Sequence, residues 1–279
     1  MLSEQTRTAR LRNITASQAH RIMGDWNKKP PSPYGIPAFD QMEPVLRKMH
    51  ESGESIPTAT ALRPLLSDPP KALSEPLKEA WKVITYNPNP ITQGMDTYAQ
   101  ELVDGEFFHY DEDYAFTGNY ATRAGDEREP ECMRILGEKV EKQFVWTGDN
   151  QQHIDNGEGV GCTPDGVLLG DNELVYTGGE AKCKSPSEHR YLYAVTDNDT
   201  LKKLEFNIFC QVQCSMLVLG CTYWFFAIFQ PHARDDRLKF KYTVIERDSD
   251  FIRIMESRIK ATLELRDKHS AATQKLLES

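Results

Sequence analysis

Between residues 173 and 247 the apolar pattern changes period twice, and this order of periods constrains the fold more than any other feature of the chain. ELVYTGGEAKCK reads as a strand; LKKLEFNIFCQVQCSMLVLG is apolar at helical spacing through Leu204, Ile208, Val212, Ser215, Met216 and Leu219. CTYWFFAIFQ is a buried strand by its aromatic density, and LKFKYTVIER alternates as the next strand. Upstream, RAGDEREPECMRILGEKV suggests a helix, KQFVWTG a strand, and VGCTPDGVLL a strand containing or following a turn. A final amphipathic helix is expected from about Ser249 to Lys268. Strands and helices in this order give an α/β arrangement with a mixed central sheet flanked by helices.

The N-terminal third is of another character. ITASQAHRIM reads as a helix start, with Thr15 or Ser17 as cap and Ala19, Ile22 and Met23 as its apolar face. From 27 to about 95 the sequence is proline-rich, with KKPPSPYGIP, SDPPKALSEP and NPNPIT separating two amphipathic stretches, PAFDQMEPVLRKMHE and SEPLKEAWKVIT. Its apolar residues are too sparse for a core of their own. A single domain over 1–279 carrying a partly helical insertion at 27–95 is the expected organisation.

The formal charge of −9 excludes a protein that coats nucleic acid by bulk electrostatics, yet leaves room for a local basic strip. Arg7, Arg10 and Arg12 could form one; Lys182, Lys184, Arg190, Lys202 and Lys203 could form another. No apolar run approaches the roughly twenty residues that span a bilayer, and the start shows no hydrophobic leader, so a cytoplasmic location is expected. The six cysteines, at 132, 162, 183, 210, 214 and 221, include no CxxC pair and are expected as free thiols.

The chemistry-bearing pattern is Pro164-Asp165, fourteen intervening residues, then Glu180-Ala181-Lys182. Residues two apart on a strand point to one face, so Glu180 and Lys182 project side by side while the Ala181 carbonyl stays available as a metal oxygen. If the strand of VYTGGEAKC pairs with the one near CTPDG through the GDN turn, Asp165 sits beside Glu180. Two carboxylates at close range repel unless a cation lies between them. Hard Mg²⁺ prefers oxygen ligands, and phosphodiester hydrolysis needs such an ion together with a cation like Lys182 near the scissile phosphate. Taken alone, Pro-Asp-Gly is an ordinary turn and Glu180 with Lys182 an ordinary strand face; their joint order and spacing favour a site.

The segments TPDG, GGEAKCK and QVQCSMLVLG, in that order, resemble the PD-(D/E)XK nucleases of the restriction-endonuclease-like fold, and among them the lambda exonuclease (YqaJ viral recombinase) family. ITAS, RAGDERE and YTVIERD extend the resemblance over residues 10–30 and 120–265. It implies Asp165 and Glu180 as metal carboxylates with the Ala181 backbone oxygen, Lys182 as the catalytic lysine, and Glu129 as an upstream helix glutamate facing the metal, directly or through water. Gln211 resembles a glutamine that approaches the substrate end. Arg10, Thr15, Ser17 and Thr163 resemble a pocket for a terminal 5′ phosphate. Pro130 places Glu129 at a helix start, with Glu127 as its possible substitute.

The implied activity is a Mg²⁺-dependent 5′ to 3′ exonuclease on double-stranded DNA ends in phage-type recombination, with Mn²⁺ able to substitute. It would leave 3′ single-stranded tails for an annealing protein, and a homotrimer is implied as its assembly. An endonuclease of the same fold and an inactive DNA-binding or inhibitor protein are the alternatives. Cys132 with Cys210, Cys214 and Cys221 could in principle hold an iron-sulfur cluster; their apolar setting favours core thiols instead. Gln213 is read as structural, and the WFF run at 224–226 as core.

Overall fold

Residues 13–24, 91–108 and 127–278 are described by the structure, a computed structural model. All of them fall in one compact unit. Arg7, Arg10 and Arg12 lie outside the described residues, as does the expected insertion apart from 91–95.

The N-terminal segment begins as strand β1 (Ile14–Thr15), passes through a 3₁₀ turn at Ala16–Gln18 and continues as helix α1 (Ala19–Met23). Ala19, Ile22 and Met23 are fully buried, as the apolar spacing predicts. The expected cap is not made: Gln18 occupies the N-cap of α1, and the Thr15 and Ser17 hydroxyls lie 3.3 Å from each other instead. Thr15 stands at the N-cap of the 3₁₀ turn, three residues before the N-cap of α1, and its side chain makes no capping hydrogen bond there.

Helix α2 (Gln93–Phe107), capped by Thr92, overlaps the end of the expected insertion. Helix α3 (Glu129–Val140) follows, with proline in its first turn where the missing N–H costs nothing. KQFVWTG is not a strand: only Val145 bridges to Val167, because Trp146 takes a left-handed φ of 59° that interrupts extended backbone.

Strand β2 (Ile154–Asp155) pairs antiparallel with β3 (Val160–Cys162), whose other edge pairs parallel with β1, Thr15 opposite Gly161. Strand β4 (Gly166–Leu169) turns back into β5 (Val175–Lys182) as an antiparallel hairpin. Parallel strands need a long crossover, and here it is helical. Helices α4 (Pro186–Leu192), α5 (Asn198–Leu204) and α6 (Phe206–Leu219) return the chain so that β6 (Tyr223–Phe229) lies parallel to β5. The expected single helix from 201 to 220 is thus two, broken where Glu205 adopts φ −140°, ψ 72°. Strand β7 (Phe240–Glu246) closes the order β4–β5–β6–β7, antiparallel to β6. Helix α7 (Ser249–Leu277) runs past the expected end at Lys268.

The result is an α/β fold with a mixed sheet between helices. Helix α3 packs on the face that carries Ala181, Phe225 and Ala227. Helix α6 packs against β3, β5 and the turn after β1. Trp224, Phe225 and Phe226 are buried core, and Gln213 is a structural bracket: its Nε2 donates to Glu246 O and its Oε1 accepts from Asp248 N. The N-terminal segment is fastened by Arg258, which donates to Ile22 O at 2.8 Å from within the core.

Gly178 makes room for a side chain of the neighbouring strand β6, and Gly179 for helix α3. A β-carbon at 178 would run into the Trp224 indole, and one at 179 would come within 2.7 Å of Met133 Cε on α3.

Candidate active site

In the β4–β5 ladder Gly166 is opposite Gly179 and the Asp165 N–H donates to Gly179 O at 3.2 Å, so the next pair outward is Asp165 with Glu180. The proposed juxtaposition of the two carboxylates is therefore made by strand register. Asp165 is buried, and both its oxygens are held: the Ala181 N–H donates to Oδ2 at 2.7 Å and Gln151 Nε2 donates to Oδ1 at 3.1 Å. Glu180 is only 1% exposed. Lys182 Nζ donates to its Oε1, while Oε2 is buried with no hydrogen-bond partner among the described residues.

This arrangement is electrostatically tense. Burial, then the charges of Glu180 and Glu129, push the Asp165 carboxyl well above the usual range, against the pull of Lys182 and the Ala181 N–H. For Lys182, burial favours the neutral amine, yet Glu180, Asp165 and Glu129 outweigh it and hold the ammonium firmly charged. Its side chain keeps 21% exposure, enough to meet a ligand from solvent.

Glu129 is the first residue of α3, and its charge acts on both Asp165 and Lys182. Glu127, its possible substitute, is exposed in the preceding turn. Gln211 sits half-buried on α6 and makes no hydrogen bond among the described residues to any of these groups. In the expected phosphate pocket, pairing of β1 with β3 brings Thr15 to Gly161, two residues before Thr163. Thr163 Oγ1 lies 3.1 Å from His153 Nδ1, and the Thr15 N–H donates to Tyr98 Oη at 3.0 Å. Arg10, the fourth member, lies outside the described residues.

Gln151, His153 and Tyr98 are site neighbours that sequence reading missed. Gln151 and His153 belong to TGDNQQHIDN, a polar stretch without motif or period, and their partners are set by tertiary folding.

Among the described residues no three His, Cys, Asp or Glu side chains converge as a metal cage. Two buried, facing carboxylates with one oxygen left unbonded nevertheless suit a hard divalent ion that takes backbone oxygen and water for its remaining positions. The cysteines are free and buried. Cys132 packs with Cys183 beneath α3, whereas Cys210 and Cys214 belong to α6.

No family model matches this sequence, and no curated protein matches it. Solved structures do. An alkaline exonuclease from Laribacter hongkongensis, LHK-Exo, is similar over 99% of this chain and 99% of its own, at 19% identity and a TM-score of 0.61. The same enzyme in complex with dAMP gives the same coverage, identity and TM-score. A phage-related exonuclease from Haemophilus somnus has 18% identity and a TM-score of 0.49, covering 73% of this chain and 90% of its own. The two LHK-Exo structures accord with the α/β fold expected from TPDG and GGEAKCK. This chain has the fold of the alkaline exonuclease LHK-Exo.

Proposed function

We propose that this chain is a metal-dependent DNA nuclease, and more finely a 5′ to 3′ exonuclease on double-stranded ends that leaves 3′ single-stranded tails, as in phage-type recombination. The carrying observation is the buried Asp165–Glu180 pair, with Lys182 bonded to one Glu180 oxygen and the other without a partner. Such a pair, costly without a counter-ion, is what a divalent-ion site needs. The fold shared with LHK-Exo supports the reading, as does the capture of dAMP, a nucleotide, by that enzyme.

Asp165 and Glu180, with the Ala181 carbonyl, would hold Mg²⁺, or Mn²⁺ in its place. When bound, such an ion supplies an activated water and neutralises charge on the scissile phosphate. The rest is the work of the chain's own residues. Gln151 and the Ala181 N–H fix the Asp165 carboxylate so that it does not reorient on binding. Lys182, charged and partly open to solvent, donates to the attacking water or to a phosphate oxygen. Glu129 adds negative charge at the start of α3 and would help to hold the ion, directly or through water. Gln211 approaches the substrate end.

The preference for ends rests on a 5′-phosphate pocket of Arg10, Thr15, Ser17 and Thr163, in which clustered hydroxyls and main-chain donors would receive the terminal phosphate. A single domain with an insertion at 27–95, a homotrimeric assembly and a single-strand annealing partner complete the proposal. Among the described residues no helix is long and apolar enough to cross a membrane.

The test is digestion of linear and closed circular duplex by the wild type, Lys182→Ala and Asp165→Asn, with Mg²⁺ or with chelator. Mg²⁺-dependent loss of the linear form alone, abolished in both variants, supports the exonuclease. Nicked circles would replace it with an endonuclease of the same fold; no digestion by folded wild type would leave a DNA-binding or inhibitor protein.

A further inference from the structure

The connection from β6 to β7 is fastened beside the candidate site at two points. Gln230 Nε2 donates to Lys184 O at 2.9 Å, and Gln230 Oε1 accepts from the His232 N–H at 3.3 Å. On the other side, Arg128 Nη2 lies 3.3 Å from His232 Nε2, a guanidinium donor against an imidazole nitrogen. Arg128 directly precedes Glu129, and Lys184 is two residues past Lys182. A continuous set of contacts thus runs from the residue before Glu129, through His232 and Gln230, back to the strand end that carries Lys182.

The Lys and Arg side chains on this rim are not held by carboxylates, unlike several others in this acidic chain. Lys202 pairs with Asp248, Arg237 with Asp235, Lys239 with Asp236, Arg253 with Asp250 and Arg266 with Asp267. Among the described residues, Arg128, Lys184 and Arg234 enter no ion pair, and Lys184, His232 and Arg234 are exposed. Glu188, a carboxylate on which the Lys184 charge acts, is engaged by Ser185 in the capping box of α4.

A polyanion approaching Glu129, Asp165 and Glu180 meets repulsion, so attraction has to come from cations on the phosphates to either side of the one being cut. We infer that Arg128, Lys184, His232 and Arg234 form a phosphate-gripping rim that holds the backbone of the strand being cut next to the scissile bond, with Gln230 fixing the loop. This rests on the nuclease reading above and adds the DNA-holding surface of that site.

The test is fluorescence-anisotropy binding of a labelled linear duplex by the full chain carrying Asp165→Asn, so that nothing is cut, at several salt concentrations. Arg128→Ala, Lys184→Ala and Arg234→Ala are each added to it, with Arg253→Ala as the control from a paired, distant position. Thermal melts confirm that each variant is folded. Each rim variant should weaken binding about fivefold at low salt and lower the slope of log affinity against log salt by about 0.9 per lost phosphate contact, with the control unchanged. Rim variants that bind with the parent's affinity and slope would overturn the rim while leaving the nuclease reading intact. Failure of the parent to bind duplex, together with failure of the wild type to digest it with Mg²⁺, would overturn both.

Discussion

The Ala181 N–H donates to Asp165 Oδ2 at 2.7 Å, a bond that spans sixteen residues of sequence and joins the two halves of the site motif. Because the donor is main chain, the Asp165 carboxylate is registered to the strand that carries Glu180 and Lys182, and no side-chain rotation separates them. Gln151 then fixes the other oxygen. The site is preorganised at the cost of holding two carboxylates together in the core, and the consequences can be measured.

Asp165→Asn removes one of the facing charges but keeps an oxygen for the Ala181 N–H; a flip of the Gln151 carboxamide would present its oxygen to the new amide. With the repulsion from Glu180 gone, the variant should melt at or above the wild-type temperature in chelator. Digestion of linear duplex should fall by at least about a hundredfold, since metal-assisted chemistry is worth several kcal/mol. A lower melting temperature would show that the Asp165 charge stabilises the metal-free protein.

Lys182→Ala leaves Glu180 at 1% exposure without its cation. Breaking a buried ion pair from one side costs about 3–5 kcal/mol, so urea denaturation should show a loss of that order. Adding Glu180→Gln to Lys182→Ala removes the stranded charge and should recover more than half of the loss, with no return of activity. Equal stability of the single and double variants would mean that water reaches Glu180 freely.

The two glycines before Glu180 should respond differently to alanine. At 178 the new β-carbon meets the rigid Trp224 ring, whereas at 179 it meets the flexible end of Met133. Overpacking a tight core costs about 1–3 kcal/mol. Gly178→Ala should fall at or beyond the upper end and Gly179→Ala near the lower, by chemical denaturation; the reverse order would contradict a rigid Trp224 ring and a yielding Met133 at these positions.

Much of this was legible in the sequence because periodicity and chemistry coincide on β5. The alternation that makes VYTGGEAK a strand is the same one that sets Glu180 and Lys182 on one face, and the hairpin back to TPDG is a local event. The aromatic run of β6 could only be core. KQFVWTG failed because its composition is strand-like while Trp146 adopts a left-handed backbone, a property that no apolar pattern records. The helix from 201 to 220 failed at Glu205 for a related reason: the capping box of Asp197 and Thr200 starts one helix, and the backbone leaves helical geometry before the next. Gln151 was invisible because it reaches Asp165 across a turn, and His232 because it reaches Arg128 across a loop, each from a segment with no period at all.

His189 should make stability depend on acid. Its Nε2–H donates to Leu238 O at 2.6 Å, its ring is buried, and Nδ1 has no hydrogen-bond partner among the described residues, so a second proton would be stranded in the core. Burial accordingly lowers the His189 pKa from its ordinary value of 6.5 despite the help of the Leu238 carbonyl. The unfolded chain therefore binds the proton first as pH falls, and stability declines with it. The contribution is fully present above the unfolded pKa and is lost progressively below it, toward the lowered folded value. Between about pH 7.5 and about pH 5.5 the wild type should lose more unfolding free energy than His189→Gln, which has no such proton to take up. His20, whose pKa is also lowered by burial, acts in the same direction in both proteins and cancels in the comparison. Parallel pH profiles for the two proteins would show that water enters beside Nδ1 and that the ring charges without cost.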